Sequence, residues 1–557
     1  MRKSNLLLAL GIVLSISTQA LPAQYAFRIS FTDKWGTAAI HQPLSFLSQR
    51  ALDRRAKYNI LVDSTDLPVS TIYIDSVKKI SSAVLHSTSR WLNYCVLLMD
   101  DSSTVASIRS QSFVKNVEWV GYFPSGLHNK NSATEANTLP ASQLSLRNND
   151  PLAKPSANAA YYNFAWDQIN IFNGACLHDL GWKGQNMLIA VFDNGFKWVD
   201  VGPAFDSLYH SGRIVDGYNF VKDTTDVYNA GSHGTEVLSI LAGYLPNHFV
   251  GTAPMAQYAL YVTEDVFSEQ PIEMDNLIAG MERADSIGVD VMSMSVGYNG
   301  FDAPFSAISS SQLDGKTIIA TQAANAAVRK GIFTTITAGN EGSGGLLSPS
   351  DADSALTVGN VDINKQPASS SGHGPNAAGV IKPNVCGLGN PGATMTFNMN
   401  VSSMSGTSFS TPAVAGMVAC LLQGNPTRTP YQLRSAIQQT GHTFATPGVQ
   451  TGYGVPDFCA ANLILGISNP TVAPSTTALY PNPFESDIRI EHTSTGHEMA
   501  TITLSDIQEK THLSHHQMLH VGKNSWTLSI PATFPSGIYL IRITTSKETH
   551  VLKAMKR

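Results

Sequence analysis

Ser405-Gly406-Thr407-Ser408-Phe409-Ser410-Thr411-Pro412-Ala413-Val414-Ala415-Gly416 is the stretch that decides the fold. A Gly-Thr-Ser turn opens into a small, apolar run. Pro412 falls in the first helical turn, where a missing N–H is no loss. The segment reads as the start of a buried helix, with its N–H groups and positive dipole end aimed at Ser408. Such an environment stabilises a developing oxyanion. A plain N-cap serine is the competing reading, and this stretch alone does not separate the two.

Three segments upstream carry related signals. Thr337-Ala338-Gly339-Asn340-Glu341-Gly342 follows the apolar stretch 332–336, and an Asn side chain set among glycines donates N–H toward an oxygen where charge develops. Gly231-Ser232-His233-Gly234-Thr235 precedes an apolar helical stretch at 237–243. Leu188-Ile189-Ala190-Val191-Phe192 ends in Asp193-Asn194-Gly195, a carboxylate at a strand end followed by a turn. Singly, each has a structural reading: a turn Asn, a structural His, a capping Asp. Continuous apolar runs alternating with helical segments between residues 160 and 467 predict a mostly parallel sheet covered on both faces, a three-layer α/β sandwich. In such sheets the functional residues gather at the carboxyl ends of the strands.

Together the four segments resemble the subtilisin-like (subtilase) serine peptidases, whose triad runs Asp, His, Ser along the chain. The resemblance implies Asp193, His233 and Ser408 as catalytic residues and Asn340 as oxyanion donor. It assigns Ser295, Val296 and Gly297 to the strand that pairs with substrate, and adds Ala338 and Gly339 to the substrate-binding set. It implies hydrolysis of protein or peptide substrates through an acyl-enzyme, with no cofactor required. The family often binds structural Ca²⁺, but no acidic loop locates a site and no metal ligands are assigned. The chain departs from the family at Asn194, where Ser or Thr is usual. An α/β hydrolase would need Ser before Asp before His and a G-x-S-x-G elbow, neither of which is present.

Outside this block, Met1-Arg2-Lys3, the apolar run 6–16 and small residues up to 23 have the layout of a secretory signal peptide, too short for the ~20 residues of a spanning helix. Residues 24–150 read as a small α/β unit followed by a polar linker, and their position resembles an inhibitory propeptide. Within them a strand is expected around Tyr25, Phe27, Ile29 and Phe31, and a helix with an Arg-rich polar face over 44–56. The peptidase-like block takes 151–467. A Pro/Ser/Thr linker at 468–477 leads to residues 478–557, which read as a small β-sandwich with Trp526 in its core. Leu479-Tyr480-Pro481-Asn482-Pro483-Phe484, Ser536-Gly537-Ile538-Tyr539-Leu540 and the basic finish 553–557 resemble the C-terminal sorting domain of Bacteroidetes type IX-secreted proteins. That implies a secreted or surface-attached protein of a Gram-negative cell, with the type IX machinery as partner.

The composition agrees. Of 557 residues, 43% are hydrophobic and 14% charged, a globular balance. The net charge is -5 and no basic tract exists, which excludes a nucleic-acid-binding reading. Five cysteines make no disulfide scaffold. If Cys95 lies in a removed segment, Cys176, Cys386, Cys420 and Cys459 allow two bridges. The sequence does not assign their pairing, and buried thiols fit equally well.

Overall fold

The computed structural model describes residues 24–37, 40–124, 157–466, 477–494, 497–506, 510–545 and 549–557. The signal-peptide reading, nearly all of the polar linker and almost the whole Pro/Ser/Thr linker therefore lie outside the described residues.

The N-terminal unit comprises β1 (Gln24–Phe31), α1 (Gln49–Lys57), α2 (Thr71–Ser81), β2 (Val84–Ser89), β3 (Tyr94–Met99), α3 (Val105–Arg109) and β4 (Val114–Phe123). The sheet is antiparallel, in the order β2-β3-β1-β4. Its alternating side chains divide between two faces. Phe27, Ile29, Cys95 and Leu97 join Val77 of α2 and Ile108 of α3 in one core. Ala26, Tyr94, Val96 and Val120 face the other way and meet Ile272 of the middle block. α1 begins five residues later than the periodicity predicts. Pro43–Ser45 form a separate 3-10 turn, and the Ser48 side chain caps the helix by accepting from the Ala51 N–H.

The middle block is built on β5 (Leu188–Asp193), β6 (Ile214–Asn219), β7 (Gln257–Val262), β8 (Val291–Met294), β9 (Phe333–Thr337), β10 (Leu356–Val361) and β11 (Val385–Leu388). These seven strands are all parallel, in the order β11-β10-β9-β8-β5-β7-β6. The principal helices are α4 (His233–Ala242), α5 (Ile272–Ile287), α6 (Ile319–Arg329) and α7 (Thr407–Gly424). Along β5, Ile189 and Val191 pack with α4 and α7. Leu188, Ala190 and Phe192 pack with α5 and α6 on the opposite face. Both faces of the sheet are covered, which explains why its strands read as continuous apolar runs. One disulfide forms, Cys176–Cys459, joining the helices Ala175–Asp179 and Phe458–Gly466 across a sequence separation of 283. Cys95, Cys386 and Cys420 are buried free thiols, so one bridge is made where the count allowed two.

The C-terminal unit comprises β12 (Thr477–Tyr480), β13 (Asp487–Ser494), β14 (Glu498–Asp506), β15 (Thr511–Leu519), β16 (Gly522–Ser529), β17 (Gly537–Thr544) and β18 (Thr549–Lys556). They form the antiparallel sheets β12-β13-β16 and β15-β14-β17-β18, which share a core containing Ile490, Ile502, Leu528 and Ile541. Trp526 is half-buried against that core.

The N-terminal unit sits on α5 through buried charge. Arg28 grips Asp275 with Nε at 2.7 Å and Nη2 at 2.8 Å, and Arg50 pairs with Asp290. Asp285 receives Arg54, Arg55 at 2.9 Å and Arg90 at 2.9 Å. Glu282 accepts the Ser89 hydroxyl at 2.6 Å and the backbone N–H groups of Arg90 and Trp91. Burial alone would raise the Asp285 carboxyl, but the three guanidiniums hold it below the usual carboxylate range. Gly288, at φ +90°, ends α5 where α1 arrives. A Cβ there would lie 2.7 Å from the Ala51 nitrogen, so only glycine permits the approach. Asp285→Ala should therefore leave three arginines facing one another and cost about 3–5 kcal/mol, the range for breaking a buried pair. Hydrogen-exchange mass spectrometry should show protection lost across β1–β4 while β5 and β7 keep theirs.

Candidate active site

The strand order brings the four sequence segments together. β5, β8 and β9 are consecutive neighbours and parallel. Asp193 ends β5, Ser295-Val296-Gly297 follows β8, and Ala338-Gly339-Asn340 follows β9. All three lie at the carboxyl edge of the sheet. α4 and α7 start at the same edge, with His233 and Ser408 in their first turns.

His233 Nδ1 donates to Asp193 Oδ1 at 2.8 Å. A carboxylate only accepts, so Nδ1 carries a proton, and in the neutral imidazole the lone pair is then on Nε2. Asp193 is 1% exposed, whereas the His233 side chain is 33% exposed. The Asn194 backbone N–H also donates to Asp193 Oδ1, at 2.8 Å. That bond comes from the main chain, so Asn194 provides it as Ser or Thr would. Gly234 sets the spacing: a Cβ there would lie 2.4 Å from the Gly195 carbonyl oxygen and 2.9 Å from Asp193 Cβ. A side chain at 234 would push α4 away from the carboxylate.

Ser408 is 8% exposed at the start of α7, and its carbonyl accepts the Ser295 hydroxyl at 3.0 Å. The His233 ring lies 5.6 Å, centroid to centroid, from that of Phe409, the residue after Ser408. Asn340 is oriented by Thr407. Its Oδ1 accepts the Thr407 backbone N–H at 3.0 Å and lies 3.0 Å from Thr407 Oγ1. Thr407 Oγ1 is itself held by the Thr337 hydroxyl at 2.6 Å. The amide oxygen thus faces α7, and among the described residues the NH₂ group of this exposed residue makes no hydrogen bond. Val296 and Ala338 are buried, and Gly297 is half-buried.

The electrostatics fit a base. Burial disfavours the charged imidazole, but the Asp193 carboxylate outweighs it through charge and hydrogen bond, with Glu236 adding to it. His233 is raised to about 8. Glu236 was not singled out in the sequence, although it stands one helical turn from His233. Burial pushes its carboxyl up to about 7, against the pull of His233. Among the described residues, no group of three or more His, Cys, Asp or Glu is placed to hold a metal ion, and no calcium site is assigned.

Residues 184–455 match the Subtilase family, residues 26–137 the Peptidase S8 propeptide domain of Bacteroidota, and residues 478–557 the Secretion system C-terminal sorting domain. Subtilisin from Bacillus pumilus is 31% identical over 300 residues, which cover 53% of this chain and 97% of that protein. Subtilisin E from Bacillus subtilis (strain 168) is 33% identical over 49% of this chain, the match spanning 65% of the relative's length. Subtilisin Savinase from Lederbergia lenta is 28% identical over 47% of this chain and 86% of its own length. The chain belongs to the subtilase family, and it carries that family's propeptide domain and a secretion sorting domain in the same polypeptide. The sorting domain marks it for type IX secretion. No helix among the described residues is long and apolar enough to cross a membrane.

Because His233 must be neutral to accept a proton, labelling of Ser408 by a fluorophosphonate should rise with pH through about 8, not through the ~6.5 of an unperturbed histidine. Asp193→Asn should move that midpoint downward, since the carboxylate is what raises it. A pH series of labelling rates on both proteins measures the shift.

Proposed function

We propose that the chain is a secreted serine endopeptidase that hydrolyses protein or peptide substrates. The observation that supports it most is the Asp193–His233 bond at 2.8 Å, set beside a helix-start serine and an asparagine whose NH₂ makes no hydrogen bond among the described residues. A serine hydroxyl is a weak nucleophile without a neighbouring base. His233 takes the Ser408 proton through Nε2 as Ser408 Oγ bonds to the scissile carbonyl carbon. Asp193 fixes the tautomer and stabilises the imidazolium. The carbonyl oxygen becomes an oxyanion between Asn340 Nδ2 and the N-terminal N–H groups of α7. The C–N bond breaks as His233 returns its proton to the leaving amine. Water, deprotonated by His233, then hydrolyses the acyl-enzyme and regenerates Ser408. Ser295 to Gly297 and Ala338 to Gly339 flank the peptide during these steps, which use no cofactor.

The N-terminal unit acts in this reading as the enzyme's own inhibitor. Its last strand reaches the loop after β7: the Tyr122 N–H donates to Gln270 Oε1 at 2.6 Å, and Gln270 Nε2 donates to the Tyr122 carbonyl at 3.1 Å. That loop leaves the same sheet edge as Asp193. Residues 1–23 serve as signal peptide, 24–150 as propeptide and linker, 151–467 as peptidase, 468–477 as linker and 478–557 as the address read by the type IX secretion machinery.

Ser408→Ala should abolish peptide hydrolysis with the unfolding midpoint kept, because the hydroxyl makes little packing. Near wild-type turnover in that variant would overturn the assignment. Asn340→Ala should lower kcat by ~10²–10³ with KM little changed, since its N–H acts on the transition state.

A further inference from the structure

Two chain crossings of the C-terminal unit meet at one end of its sandwich. β13 and β16 pair in one sheet, and β14 and β15 pair in the other. The chain therefore changes sheet between β13 and β14, and again between β15 and β16. The registers put both crossings at the same end. Ser494 at the end of β13 pairs with Gly522 at the start of β16, and Glu498 at the start of β14 pairs with Leu519 at the end of β15. His497 stands directly before β14, and His520 directly after β15. Their Nδ1 atoms are 3.2 Å apart, with the ring planes at 79°. The His520 main chain is fixed by Asn524, whose Oδ1 accepts its N–H at 2.8 Å and whose Nδ2 donates to its carbonyl at 2.8 Å.

Both side chains are exposed, and among the described residues each ring hydrogen-bonds only to the other. Other histidines of this unit are engaged differently: His512 with Asp506 at 2.6 Å, His516 with Thr501 at 3.2 Å and His492 with Thr477 at 2.7 Å. An exposed pair of imidazoles gains little from one hydrogen bond, because water offers the same. The separation does match a chelate. Two nitrogens on a tetrahedral zinc, each about 2.0–2.1 Å from the metal, stand about 3.3–3.4 Å apart. We propose that His497 and His520 form a binding site for a divalent transition cation, Zn²⁺, Ni²⁺ or Cu²⁺, that clips the two sheets together at this end. Each ring then carries its proton on Nε2 and gives the Nδ1 lone pair to the cation. Imidazole nitrogens suit these ions, whereas Ca²⁺ and Mg²⁺ take oxygen ligands. Among the described residues no third His, Cys, Asp or Glu completes the set, so water holds the remaining positions. The two ligands are 23 residues apart on different crossings, so the site exists only once both sheets have packed.

The full chain carrying Ser408→Ala, so that self-cleavage does not remove the C-terminal unit, is purified without a histidine tag. It is titrated with Zn²⁺ by calorimetry, alongside the same chain with His497→Ala or His520→Ala added. Both positions are exposed and outside the core of the unit, so the variants should keep its fold. Two rings held together bind as a chelate, so losing either should weaken the tightest Zn²⁺ site by at least ~10²-fold. Diethylpyrocarbonate labelling read by mass spectrometry locates that site: Zn²⁺ should protect His497 and His520 together, and Ca²⁺ neither. Tight Zn²⁺ binding that survives in either variant, or protection that falls on other histidines instead, overturns the proposal. Absence of Zn²⁺ binding with both histidines present also overturns it, and leaves a plain hydrogen-bonded pair. These readouts use no peptidase activity, so the result stands whether or not the peptidase reading does.

Discussion

The site is organised around a carboxylate with almost no access to water. Asp193 is enclosed at the end of a central strand, and a buried carboxylate needs donors. At Oδ1 it draws them from the Asn194 backbone and from His233, while the buried Oδ2 has no donor among the described residues. Meeting that need fixes the imidazole's tautomer, and the tautomer leaves Nε2 as acceptor. The need also sets sequence beyond the triad. Position 234 must be glycine for α4 to come close enough, and the turn 193–195 must bend directly after the strand. Because the sheet is parallel, the strand ends beside β5 deliver residues 295–297 and 338–340 to the same edge with no long loop to position them.

A different balance holds the N-terminal unit in place. An apolar patch around Tyr94, Val96 and Ile272 contributes ordinary burial. The specificity comes from arginines of α1, β1 and the β2–β3 turn that meet carboxylates of α5 and Asp290. Buried ion pairs add less net stability than their number suggests, because desolvation offsets much of the attraction. They do penalise any misregistered docking severely. Their partners on α5 are charged groups that water can solvate again. An interface of this kind suits a unit that must first seat in one register and later leave.

Much of this was legible in the sequence. Apolar runs between helices gave the parallel sheet, because strands covered on both faces cannot alternate. The segments around Asp193, His233, Asn340 and Ser408 stand out by their glycine turns and helix starts, but each alone has a structural reading, and only the family resemblance joins them into one candidate site. The interface was not legible. The Arg-rich face of α1 reads as solvated, yet Arg54 and Arg55 are 2% and 1% exposed. The acceptor they share, Asp285, lies more than 200 residues away, and no local pattern reports it; Arg55 also meets Asp66, 11 residues on. The start of α1 was misplaced because Pro43 breaks the helical pattern into a separate turn. Glu236 was within reach, since i+3 from a candidate base on a helix is a neighbouring position.

The disulfide Cys176–Cys459 joins the two ends of the middle block, and Asp193, His233, Asn340 and Ser408 all lie inside the loop it closes. A secreted peptidase spends its life among copies of itself, and exposed loops are where such molecules cut one another. A single cut inside this loop yields no free fragment. The two pieces stay covalently joined and stay packed on one sheet. Damage from neighbours would then accumulate without visible loss of mass, and only a reducing agent would show how many of the molecules in an old sample had already been cut.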